Sequence, residues 1–330
     1  MVVAPYPTGV RRGLDACASA RGVFNVLALD HRQNLRREID PDDPDSVTTE
    51  TMTALKRDVV RALAPFVSGV LLDPEVGAAQ CVADGSIPGG TGLLVAIEAT
   101  GYEGLPTARR SRVLPGWSVA KAKRMGASAA KLLVYYHPDA ETAADQEAFV
   151  AGVAADCRAT DLPLFLEPLT YSPDPDRSVL SGDDRRRAVV ETARRLTALG
   201  GDVLKSEFPY DAGVTDERRW REGCLELDEA SMVPWVLLSG GVDDATFERQ
   251  VAVACDAGAS GVLVGRSVWA DAARMEAPER GAFLQGDGAA RLQRLVDVVE
   301  RLGQPWLDRA PPALRAGRVE PSWYLDYPDR

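Results

Sequence analysis

Polarity along the chain falls into eight short, mostly apolar runs separated by longer stretches of helical spacing. The runs cover 24–30, 67–73, 92–98, 130–136, 162–167, 202–209, 234–239 and 261–266. Most are apolar nearly throughout rather than alternating, which is the pattern of parallel strands buried on both faces. Between them, 45–63, 142–160, 183–199 and 244–257 carry the spacing of amphipathic helices, and the last stops at Gly258. Eight buried strands alternating with helices predict an α/β fold of the (β/α)8, or TIM-barrel, type. A doubly wound sheet is the rival. Its Gly-rich first turn is missing, because Asp30-His31-Arg32-Gln33 follows the first run.

The expected layout is one barrel domain over 1–330, with a core at about 22–272 and a helical or irregular C-terminal extension at about 280–330. Stretches 100–118 and 170–187 read as long loops after the third and fifth strands. Such loops sit at strand C-termini, where barrels of this kind build active sites. The tail from about 303, with Trp306 and Trp323, is expected to pack over the barrel or a neighbouring subunit.

Several runs are interrupted by charge. Lys205 stands in the middle of the sixth, within Val203-Leu204-Lys205-Ser206. Burial disfavours a charged amine, and a neutral lysine attacks carbonyl carbon to form a Schiff base. The plain alternative is a lysine whose tip escapes to the mouth or pairs with Glu207. Glu167 closes the fifth run and is placed to shuttle protons beside such an amine. Its alternative is a structural ion pair with Lys131 or Lys205. Lys131, in the fourth run, is a second cation that disfavours protonation of Lys205 or binds substrate oxygens. Asp30 ends the first run, where it can bind hydroxyls or hold a lysine. Asp73 and Glu75, after the second, read as caps of a turn or helix.

The last two strands end in Leu238-Ser239-Gly240-Gly241-Val242 and Val264-Gly265-Arg266-Ser267. Glycines let backbone N–H groups approach an anion, and the helix expected from Asp243 adds a positive dipole end. Ser239, Gly240, Gly241, Gly265 and Arg266 therefore form a candidate phosphate cradle, in the place where these barrels usually carry one. Two tight turns are the alternative. His31 follows Asp30 at the mouth and is a candidate substrate contact. His137 reads as a loop residue. Two histidines without spaced acidic partners argue against a metal site.

Bulk composition narrows the setting. A net charge of −11 without a Lys/Arg-rich run disfavours nucleic acid or an anionic membrane as partner. Five scattered cysteines without CxxC spacing fit reduced thiols in the cytoplasm. The first residues show no long apolar core after their charges, so no signal peptide is expected, and no run of about 18 apolar residues predicts a membrane span.

These segments, from about 22 to 272, resemble the class I tagatose 1,6-bisphosphate aldolases, within a grouping that includes deoxyribose-phosphate and sulfofructose-phosphate aldolases. The resemblance rests on Leu29-Asp30-His31-Arg32, Leu72-Asp73-Pro74-Glu75-Val76-Gly77 and Glu98-Ala99-Thr100-Gly101-Tyr102. It continues through Lys131-Leu132-Leu133-Val134-Tyr135-Tyr136, Phe165-Leu166-Glu167-Pro168-Leu169-Thr170-Tyr171, Val203-Leu204-Lys205 and the two glycine segments. It implies a barrel without metal or cofactor, Lys205 as the Schiff-base lysine and Glu167 as the acid/base carboxylate. Lys131 and Asp30 would be polar neighbours, and Ser239, Gly240, Gly265 and Arg266 the site for the dihydroxyacetone phosphate end.

The implied reaction is reversible C3–C4 cleavage of a phosphorylated ketose, with tagatose 1,6-bisphosphate first. The products would be dihydroxyacetone phosphate and a three-carbon aldehyde such as glyceraldehyde 3-phosphate, and the enzyme a homo-oligomer. Sulfofructose 1-phosphate, giving sulfolactaldehyde, is the enzymatic alternative; a non-catalytic, sugar-phosphate-binding regulatory barrel is the other. Two departures stand out: His31 where the family often has Gln, and Ser206 where it often has Val.

Overall fold

The computed structural model describes residues 7–315, 317, 319, 321–325 and 327. Among these residues ten strands are formed: β1 (Phe24–Leu29), β2 (Gly69–Leu72), β3 (Gly92–Ala96), β4 (Glu103–Leu105), β5 (Ala108–Arg110), β6 (Ala129–Tyr136), β7 (Leu164–Thr170), β8 (Val203–Ser206), β9 (Trp235–Leu238) and β10 (Gly261–Val264). Eight of them close a parallel barrel in the order β1-β10-β9-β8-β7-β6-β3-β2. These eight are the eight apolar runs of the sequence, each paired with its neighbours in chain order and with β10 returning to β1. The fold is the expected (β/α)8 barrel.

The helices between strands also follow the apolar spacing. Thr49–Leu63 starts four residues later than the pattern suggested, because Pro44–Ser46 forms a separate 3-10 turn and Thr48 is the true cap, accepting from Thr51 N–H. Ala143–Ala159, Gly182–Thr197 and Asp244–Asp256 match their expected stretches closely. Helix Ala289–Leu302, in the stretch read as extension, buries Leu292, Leu295, Val298 and Val299, and it packs against Asp244–Asp256. Among the described residues, no helix is long and apolar enough to cross a membrane.

Stretch 100–118 is not an irregular loop. It contains the antiparallel hairpin β4–β5, paired Glu103↔Arg110, and a bridge from Glu98 to Val113. Sequence periodicity missed it because each strand has three residues and β4 is exposed along its length. Trp306, early in the tail, is buried, stacks on Phe24 at 6.5 Å and joins Val10, Leu14 and Cys17 of helix Thr8–Cys17 in one apolar cluster. That cluster includes Ala129 and Val203, which open β6 and β8, so it closes the N-terminal end of the barrel. The strand C-termini are thereby left as the open end.

Candidate active site

Side chains in a strand alternate between faces with period two. The inward stripe of β1 runs Phe24, Val26, Ala28, all in the interior cluster, and its next position is Asp30. The stripe of β3 passes through Leu94 and reaches Glu98 four residues on. On β6, Ala129 is followed by Lys131; on β7, Phe165 by Glu167; on β8, Val203 by Lys205. The register pairs Phe165 with Val203 and Leu166 with Leu204, which brings Glu167 beside Lys205. Each stripe is apolar at the barrel floor and turns ionic toward the mouth.

The five ionic groups meet. Glu167 Oε1 lies 2.7 Å from Lys205 Nζ, and Glu167 Oε2 lies 2.7 Å from Lys131 Nζ. Lys131 also donates to Asp30 Oδ2 and Glu98 Oε1, both at 2.7 Å. Its side chain is 1% exposed, and that of Lys205 is 6%. Burial works against charge on Lys131, but the carboxylates of Asp30, Glu167 and Glu98 prevail and hold its pKa well above the ordinary lysine value. Burial likewise pushes the Asp30 carboxyl up, yet Lys131 and Lys205 bring it well below the usual carboxylate range.

Both readings of Glu167 as an ion-pair partner hold at once, since it bridges the two lysines. Glu207 does not pair with Lys205. It accepts from Thr170 N–H and Oγ1, each at 2.7 Å, and from Arg185 at 3.0 Å, fastening β7 to β8. Asp73 caps a turn as expected, with Oδ1 accepting from Glu75 and Val76 N–H, and it forms a wholly buried ion pair with Lys56. Nothing in the sequence marked Lys56, which sits in a helix among other charged residues.

Glu98 escaped the sequence reading as a site residue. Its Oε2 accepts from Leu133 N–H at 3.0 Å, and its carbonyl accepts from Arg32 at 2.8 Å. Arg32 in turn donates to Glu75 at 2.8 Å. The signal that could have found Glu98 is the two-residue stripe itself, identical in kind to those ending at Asp30 and Glu167.

A cavity of about 280 Å³ opens over this cluster. Ser239, Gly240, Gly265 and Arg266 line one side; Thr100, Tyr135 and Leu169 lie among the residues of the other. Gly265 N–H donates to Ser239 Oγ at 3.3 Å, tying the ends of β9 and β10 together. A side chain at Gly265 would meet Ala28 O at 3.2 Å and His31 Cε1 at 3.4 Å, so the close approach favours glycine. Gly241 has φ +83°, the left-handed region, and does not itself line the cavity. Helix Asp244–Asp256 starts directly after, capped by Asp243, which accepts from Thr246 N–H at 3.0 Å. Arg266 is half-exposed, 3.5 Å from Glu38.

His31 lines the cavity between cluster and cradle, edge-on to Trp269 at 5.3 Å. Burial pushes its imidazole down to about 4, so it is neutral at physiological pH. His137 lies away from this cavity. The β4–β5 hairpin is pinned beside the mouth by Arg109, whose guanidinium lies 4.6 Å from the Tyr102 and Tyr171 rings and 5.4 Å from Tyr135. Among the described residues, no group of three or more His, Cys, Asp and Glu is arranged to hold a metal ion.

Comparison with known proteins adds a family to this geometry. The profile described as DeoC/LacD family aldolase matches residues 24–271. The chain is 30% identical over 319 residues to tagatose 1,6-diphosphate aldolase 2 of Streptococcus pyogenes serotype M1, covering 88% of this chain and 95% of that protein. It is also 30% identical over 327 residues to tagatose 1,6-diphosphate aldolase of Streptococcus agalactiae serotype V, covering 91% and 98%. Among solved structures, an archaeal fructose 1,6-bisphosphate aldolase superimposes with a TM-score of 0.58 at 21% identity, over 88% of this chain and 98% of that one. Fructose-bisphosphate aldolase from Plasmodium falciparum does so at 0.70 and 14%, over 92% and 97%. At those identities the superpositions speak for the barrel alone, whereas the profile and the relatives speak for descent: the chain belongs to the DeoC/LacD family of class I aldolases and is a carbon–carbon lyase.

Proposed function

We propose that this protein cleaves tagatose 1,6-bisphosphate reversibly to dihydroxyacetone phosphate and glyceraldehyde 3-phosphate, with Lys205 as the Schiff-base lysine. The observation that carries the chemistry is the sharing of Glu167 between Lys205 and Lys131 beneath a glycine-lined cradle. The substrate is supported by the streptococcal relatives.

Lys205 passes a proton to its partner Glu167, and the freed Nζ attacks the C2 carbonyl; the proton on nitrogen moves to the oxygen to give a carbinolamine. Glu167 returns its proton as water leaves, giving a protonated imine and restoring the carboxylate. Glu167 accepts the C4 hydroxyl proton, the C3–C4 bond breaks, and its electron pair flows into the imine as an enamine. The aldehyde departs, C3 is protonated, and water releases dihydroxyacetone phosphate from Lys205. Lys131 and Asp30 hold hydroxyl oxygens, and His31 faces the phosphate-bearing half. Ser239, Gly240 and Arg266 take the 1-phosphate through N–H groups and one charge-assisted contact, with Gly265 holding the Ser239 hydroxyl in place and Gly241 giving the turn its left-handed step. We place the enzyme in the cytoplasm as a homo-oligomer; five buried, unpaired thiols suit a reducing compartment.

Incubation with dihydroxyacetone phosphate and sodium borohydride, followed by peptide mass spectrometry, tests the assignment. A reduced adduct on Lys205 is expected. An adduct on another lysine, or none on folded protein, overturns it. A coupled assay of tagatose 1,6-bisphosphate against sulfofructose 1-phosphate then tests the substrate.

A further inference from the structure

The three carboxylates around Lys131 are not equivalent. Glu167 alone touches both lysines. Asp30 and Glu98 reach Lys131 but form no ion pair with Lys205 among the described residues. Glu98 is also the most firmly held. One oxygen faces Lys131 and lies 3.9 Å from the Arg32 guanidinium, the other accepts from Leu133 N–H, and its carbonyl takes Arg32, which is itself anchored on Glu75. Its side chain is 5% exposed.

Such fixing has a consequence for proton traffic. When Glu167 takes a proton, it loses its attraction for Lys131. Asp30 and Glu98 then still neutralise that ammonium, so the cluster needs neither to release a second proton nor to rearrange. With Glu98 removed, Lys131 would depend more on Glu167 and would hold it as a carboxylate, making it a weaker base. Accordingly, we propose that Glu98 is a positioning residue, which keeps Lys131 a fixed cation and thereby leaves Glu167 free to exchange protons. This rests on the reading of Lys205 and Glu167 given above and adds a residue which that reading does not use.

The test is the pH dependence of kcat/KM for retro-aldol cleavage in Glu98→Gln, with borohydride trapping on Lys205 followed in parallel. Loss of one neighbouring negative charge should move the acidic limb to lower pH by at least about half a unit. Trapping on Lys205 should persist. An unmoved limb, even with reduced activity, overturns the proposal, because a purely structural role would lower the rate without displacing the limb. Should Glu98→Gln not fold, Glu98→Asp carries the test. One methylene shorter, it cannot serve Lys131 and Leu133 N–H together, so the limb should move the same way by less; an unmoved limb again overturns the idea. Failure of the parent reading is distinct, because there the unsubstituted enzyme itself gives no adduct on Lys205.

Discussion

Lys131 and Lys205 share one carboxylate, Glu167, each at 2.7 Å from a different oxygen. They differ in everything else about their pairing. Lys131 has two further carboxylates, whereas Lys205 has no other ion pair among the described residues. Both lysines line the cavity, and Lys205 is the one held by fewer carboxylates.

Stability should follow that asymmetry. Lys131→Met leaves Asp30, Glu98 and Glu167 buried with too little positive charge, and loss of one partner from a buried pair costs about 3–5 kcal/mol. Lys205→Met leaves Glu167 still paired with Lys131 and should cost much less, although activity is lost in both. Urea unfolding of the two variants beside the parent measures the difference; equal stabilities would refute the unequal pairing.

Turnover should respond to Glu167→Gln with a fall of roughly 10²–10⁴-fold, the usual scale for a lost general acid or base. The amide keeps the shape but takes no proton. Steady-state cleavage rates with a coupled dehydrogenase provide the measurement, and a near-normal kcat would remove Glu167 from the proton-transfer step.

Arg266 stands at the exposed side of the cavity, and its only ion pair among the described residues is the long one to Glu38. Arg266→Ala should raise KM for the phosphorylated ketose and leave kcat nearly unchanged, since uniform binding is what it supplies. Unphosphorylated dihydroxyacetone as the condensation donor should show no such change. A KM shift of equal size for both donors would place the phosphate elsewhere.

A separate pH effect lies at the other end of the barrel. Burial raises the Asp202 carboxyl to about 6, although it accepts from Leu164 N–H at 2.9 Å. Its folded pKa lies above the unfolded one, so the folded state binds the proton more tightly between about pH 4 and 6, and stability contributed here falls as pH rises through that window. Asp202→Asn keeps an acceptor for Leu164 and removes the penalty. It should gain about 1–3 kcal/mol at pH 8 and little at pH 4. Denaturant midpoints at the two pH values decide it.

Most of the barrel was legible because strands buried on both faces need continuous apolar runs, and a charge inside such a run is conspicuous. That is why Lys205, Lys131, Glu167 and Asp30 stood out. Glu98 stood at the end of an equally apolar run, yet a terminal glutamate resembles any strand-end carboxylate until its inward stripe is traced. Lys56 was illegible for a different reason. Helical spacing identifies the apolar face but not a lysine drawn beneath it by Asp73, which lies on another element. The β4–β5 hairpin escaped because its hydrogen bonds and the stacking of Arg109 on three tyrosines leave no periodic trace.

The contrast between a sheltered Lys131 and a half-exposed Arg266 also divides the cavity in its response to electrolyte. Mobile ions screen charges they can surround, over about 8 Å at physiological ionic strength, and reach buried pairs poorly. Added potassium chloride therefore acts on the rim and spares the floor: phosphate capture weakens, while bond cleavage in the saturated enzyme proceeds at its former pace.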